Sequence, residues 1–161
     1  MDVNWLAILV AAVSSLLLGF VWYHPKVFGT VWMKGLGMEP ESPPKGNMVK
    51  MFGVSFMMAI IIAYNLNQWA SYHPVEEQTF IHGAFHAILT CAMGALPVLV
   101  TNSLYEQRSW AVIFINIFYW AVTFALMGGI LYMWPQAELL PPPPIEEGEA
   151  ILRILGQSVF A

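Results

Sequence analysis

In a chain of 161 residues, 58% are hydrophobic, only 10% are charged, and the net charge is −4. A soluble domain carries roughly 45–50% apolar and about 25% charged residues, so this composition excludes an ordinary water-soluble globule. The six basic residues are scattered, which excludes a phosphate-tracking nucleic-acid surface, and the single cysteine excludes an internal disulfide or a paired-cysteine metal site.

A helix crossing a ~30 Å hydrocarbon core takes about 20 apolar residues, because backbone groups in lipid must be bonded within their own segment. The first such stretch is 4–23, NWLAILVAAVSSLLLGFVWY, without a charge. A cleaved signal peptide starts with a basic region and a shorter apolar run. Here Asp2 leads and the run is longer, so the segment is expected to persist as a helix. Pro25 stops it, since proline lacks an N–H and holds His24 in extended geometry. Residues 26–38 set Phe28, Val31, Trp32, Leu36 and Met38 near one face beside Lys26 and Lys34, a short helix suited to the membrane interface. A polar link at 39–46, EPESPPKG, leads to the second span at 49–70.

The third span is 80–101, FIHGAFHAILTCAMGALPVLVT, in which Cys91 reads as a small buried hydrophobe and Pro97 as a kink point. The fourth is 110–134. Residues 1–135 are therefore expected to form one all-α, four-helix transmembrane domain. Trp5, Trp22, Tyr23, Trp69, Trp110, Tyr132 and Trp134 fall at span ends, where amphipathic rings favour the headgroups. Residues 136–161 read as a proline-rich linker, with PPPP at 141–144 as a stiff spacer, and an amphipathic tail helix. The apolar stripe of that tail includes Ile151 and Leu155, suited to docking on the bundle, the lipid or a partner.

Lys and Arg are retained on the cytoplasmic side of membranes. Lys26, Lys34, Lys45 and Lys50 lie between spans one and two and Arg108 between three and four, whereas the other side carries only Arg153. Both chain ends are accordingly expected outside, in the periplasm if the cell is a Gram-negative bacterium.

The two basic connections carry recognisable text. WYHPKVFGTVWM at 22–33 and TNSLYEQRSW at 101–110, followed by LMGGIL in the fourth span, resemble a family of small bacterial membrane proteins, domain of unknown function 1761. The resemblance covers about residues 3–134 and implies a four-helix membrane protein without implying an activity. His24 stands where that family commonly has serine, and Asn116 and Trp120 stand where aspartate and histidine are expected.

Ionisable groups inside a membrane are costly and therefore functional candidates. No Asp, Glu, Lys or Arg lies deep in a span, which leaves His82 and His86, Asn65, Asn67 and Asn116, Thr90 and Thr123, and the serines of the first span. His82 and His86 are four apart and share a helix face. Their preferred reading is helix packing, with hydrogen bonds to Asn or Ser of neighbouring spans. The alternative is a metal or proton site, for which His73, His82, His86 and Glu77, with Glu76 nearby, are the candidate ligands. At the other end His24, Trp32, Glu106 and Arg108 form a polar cluster whose first reading is architectural, ending and anchoring the turn at the headgroups, and whose alternative is an interaction surface, with Glu106 paired to Arg108, His24 or Lys26. No nucleophile–base pair, paired carboxylates or cofactor loop is legible, so no catalytic residues and no cofactor are expected. An accessory subunit, packed against other membrane subunits or itself, is the favoured reading; a small transporter or channel is the alternative.

Overall fold

The computed structural model describes residues 3–38, 46–70 and 72–134. The polyproline spacer and the tail residues Ile151 and Leu155 lie outside them, as does most of the 39–46 link. The described residues form helices without strands: α1 (Trp5–Trp22), a π-turn (Pro25–Gly29) running into α2 (Thr30–Gly35), α3 (Met48–Ala70), α4 (Phe80–Thr90), a π-bulge (Cys91–Ala95), α5 (Leu96–Tyr105) and α6 (Trp110–Met133). Four spans are long and apolar enough to cross a membrane: Trp5–Trp22, Met48–Ala70, Phe80–Tyr105 and Trp110–Met133. The chain is a multi-pass membrane protein.

Local chemistry sets the boundaries. The Asn4 side chain accepts from the Ala7 N–H at 3.1 Å and Ser109 caps α6 through the Val112 N–H, each satisfying a donor that a helix start leaves free. His24 is extended (φ −65°, ψ 139°) ahead of Pro25, and its Nδ1 accepts from the Lys26 N–H at 3.2 Å. Gly37, at φ +69°, closes α2 in the left-handed conformation that glycine adopts without penalty. In the third span Pro97 lacks the N–H that would continue the helical ladder, and the preceding turn widens into the π-bulge. Pro97 thus marks the irregularity, which lies just before it.

The bundle is inside-out by the standards of a soluble protein. Val49, Ile81 and Met93 are 82%, 81% and 80% exposed, while the buried faces are lined with small residues: Ala7, Ala11 and Ser15 on α1, Ala59 and Ala63 on α3, Ala87 on α4. In lipid, association gains little from apolar burial and depends on close backbone approach and van der Waals contact. α6 is the central helix, packed against α1, α3, α4 and α5, and its tightest partner is α4. A Cβ on Gly83 would overlap the Gly128 carbonyl and the Tyr132 side chain, and one on Gly128 would overlap Ala87. The α4 and α6 backbones therefore touch at this point.

Segment 25–35 folds back on α6 through one acceptor. Asn116 Oδ1 receives the Tyr23 hydroxyl at 3.0 Å and the Trp32 indole N–H at 3.1 Å, and the Trp22 indole donates to the Ile115 carbonyl at 3.2 Å. Rings of Tyr23, Trp32 and Tyr119 pack around that acceptor, with centroids 5.0 Å apart for both Tyr23–Trp32 and Tyr23–Tyr119. Interhelical hydrogen bonds in membrane bundles contribute on average ~0.6 kcal/mol each, and an orphaned donor costs about 1–3 kcal/mol. Asn116→Leu is accordingly expected to loosen this segment, seen as faster tryptic cleavage after Lys34 in detergent, whereas Asn116→Asp retains the acceptor and the slow cleavage. Equal rates in both variants and the parent chain would show that the segment is held by ring packing alone.

Candidate metal centre

The connection between α3 and α4 builds a second polar cluster at the opposite end of α6. α3 ends at Ala70, Pro74 starts a 3₁₀ turn over Val75–Glu77, and Thr79 caps α4 by accepting the His82 N–H at 3.3 Å. Gln78, buried under this turn, donates through Nε2 to the His73 carbonyl at 2.9 Å and fixes the residue that must face α4. His82 and His86 project from successive turns of α4. Their rings stack with centroids 4.7 Å apart, and the His73 ring completes a triangle at 4.7 Å from His82 and 4.5 Å from His86.

One ring nitrogen from each of the three histidines lies within 4.8 Å of the others, and all three residues are half-buried. A zinc-type ion bound at ~2.0 Å needs its nitrogens roughly 3.3 Å apart in tetrahedral geometry, so the donors would close by about 1.5 Å at most. That is within the reach of side-chain rotation at the end of a bundle. Three neutral imidazoles suit borderline divalent ions such as zinc, copper(II) or nickel.

Two groups flank the inner nitrogen of His73. Nδ1 stands 3.0 Å from the Trp69 carbonyl, in the last turn of α3, and 3.2 Å from the Tyr132 hydroxyl. With the hydrogen on Nδ1, the carbonyl accepts it and the lone pair is on Nε2. Histidine ligands to metals are commonly oriented this way, with the far N–H held by a carbonyl. Tyr132 is 2% exposed and its ring also lies beside His82 and His86, at 5.9 Å and 6.5 Å. Below the rings α3, α4 and α6 meet along a shallow apolar crease with no room for a water molecule, lined by Leu66, Trp69, Ala87 and Thr90 among others.

The sequence-derived candidates divide clearly. His73, His82 and His86 converge; Glu77 is exposed on the 3₁₀ turn and is not among the converging donors. Tyr132, expected in an interfacial aromatic belt, is instead buried against the histidines, because Gly83 and Gly128 bring α4 onto α6 there. At the other end His24 and Trp32 serve the fold-back of 25–35, and Glu106 pairs with Arg108 at 2.9 Å on the surface. Of the span hydroxyls, Ser14, Ser15 and Thr90 bond to carbonyls of their own helix, at 2.7, 2.7 and 2.9 Å.

The model of the family described as protein of unknown function (DUF1761) matches residues 6–132. The chain belongs to the DUF1761 family. No curated protein and no solved structure matches it. Within this DUF1761 protein the match takes in the four spans, the fold-back around Asn116 and the histidine cluster up to Tyr132, and leaves the proline-rich tail outside.

Proposed function

We propose that this DUF1761 bundle is a metal-holding accessory protein of the bacterial inner membrane, binding one divalent transition ion through His73, His82 and His86. The observation that carries the reading is the arrival of His73, from a separate segment, within ligand distance of the two histidines that share the α4 face. Two histidines four apart are common in helices that only pack; a third ring brought against both from a separate segment, with Nδ1 beside a backbone carbonyl, favours a metal site over packing alone. The excess of Lys and Arg in the connections preceding α3 and α6 supports an orientation with both chain ends and the histidine cluster on the periplasmic side. Such a protein would hold its ion at the outer face, alone, in self-assemblies or beside larger membrane subunits.

The test is metal content of the full chain in mild detergent after chelation and reloading with zinc. One zinc per chain is expected, and the His82→Ala/His86→Ala double variant should retain less than a tenth of that. Equal, substoichiometric zinc in both proteins would overturn the metal reading. Native mass measurement of the same sample reports whether other subunits accompany the loaded chain.

A further inference from the structure

We infer that the centre is an open one, whose fourth position takes an exogenous monodentate donor, a small anion or a nitrogen base from the aqueous phase. The inference rests on the metal reading above and deepens it.

It follows from where the neighbouring polar groups are already committed. Within the described residues, the side chains of Thr79, Thr90, Gln78 and Tyr132 hydrogen-bond to the three histidine residues. Thr79 Oγ1 caps α4 by accepting the His82 N–H, and the Thr90 hydroxyl donates back to the His86 carbonyl at 2.9 Å. Gln78 Nε2 holds the His73 carbonyl at 2.9 Å. The Tyr132 oxygen lies 3.2 Å from His73 Nδ1, which also stands 3.0 Å from the Trp69 carbonyl. The hydroxyl is thus engaged with a histidine ring. Glu76 and Glu77 sit exposed on the 3₁₀ turn, and neither joins the set of converging donors.

Three protein donors and a free coordination position distinguish exchanging or reactive centres from structural ones, which are closed by four protein ligands. The half-burial of all three histidines gives a small donor access from the end of the bundle, without passage through its core. Three neutral imidazoles leave the charge of a divalent ion uncompensated, which favours an anion in the fourth place. The centre is thereby suited to passing an ion on, or to binding a small anion, rather than to clamping two helices together.

The experiment loads the full chain in detergent with one copper(II) and titrates azide. A new azide-to-copper charge-transfer absorption, saturating at one azide per copper and retained in Tyr132→Phe, is expected, with a matching change in the copper electron paramagnetic resonance spectrum. Stoichiometric copper whose spectra ignore azide would overturn the open centre while leaving the metal site standing. So would a phenolate-to-copper band that disappears in Tyr132→Phe, since Tyr132 would then fill the fourth place. Failure of the chain to bind copper or zinc at all overturns the metal reading itself, and this inference with it.

Discussion

His86→Ala is expected to weaken zinc binding about 100-fold or more, measured by competition with a chromophoric chelator on the detergent-solubilised chain. Loss of an outer-sphere partner alone costs 10–100-fold, and removing one of three ligands exceeds that range because the remaining pair no longer encloses the ion. The zinc-free variant should melt close to the parent, since His86 is half-buried at the bundle end and its deletion opens no core cavity. Zinc should then raise the melting temperature of the parent and leave that of His86→Ala unchanged, because stabilisation by a ligand depends on its affinity for the folded state. A mere packing role predicts the reverse: a lower melting temperature for the zinc-free variant and no response of the parent to zinc. His24→Ala, at the other end of the molecule, serves as the control that should leave zinc affinity unaltered.

Gly83→Val is expected to have the second large effect, on stability and metal together. A side chain at Gly83 meets the Gly128 backbone carbonyl and the Tyr132 side chain, neither of which can withdraw without moving α6. Overpacking of this kind costs about 1–3 kcal/mol in well-packed cores. Here the helices must part at the level of the histidines, so zinc affinity should fall at least tenfold along with the melting temperature. Gly83→Ala introduces a smaller overlap and should lie between the two. A Gly83→Val protein with parental melting and parental zinc affinity would sink the view that close α4–α6 contact positions the centre.

The four spans were legible because lipid imposes one requirement on every spanning helix, a run of about 20 apolar residues, and that requirement is written directly in the sequence. The pairing of His82 with His86 was legible for a similar reason, since helical periodicity is local. His73 entered only as a neighbour along the chain; its convergence depends on a short turn stabilised by Pro74, Gln78 and Thr79, whose sense of rotation periodicity does not encode. Tyr132 was beyond reach for a deeper reason. It meets the histidines across a helix–helix contact, and an aromatic residue at a span end reads identically whether it faces headgroups or a neighbouring helix. The glycines at 83 and 128 carried the one available signal, because small residues in spans mark close approach, yet nothing local states which two approach each other. Asn116 illustrates the same gap at the other end. As a polar residue inside a span it stood among the functional candidates, but nothing local showed that its Oδ1 accepts from both Tyr23 and Trp32.

The π-bulge at Cys91–Ala95 gives the third span an arithmetic of its own. A widened turn holds one residue more than an α-turn, and each residue advances a helix by about 100°. Everything after the bulge is therefore turned by roughly that angle relative to an unbroken helix, so the face of α4 that carries His82 and His86 does not continue along α5. The extra residue works as a joint in the alphabet of the chain: a sequence one letter shorter here would keep its hydropathy, its histidines and its connection, and would still point α5 to a different neighbour. Length in this segment is thus a form of information, and the alignment of any two such bundles should be read with the gap placed in the bulge and not in the loops.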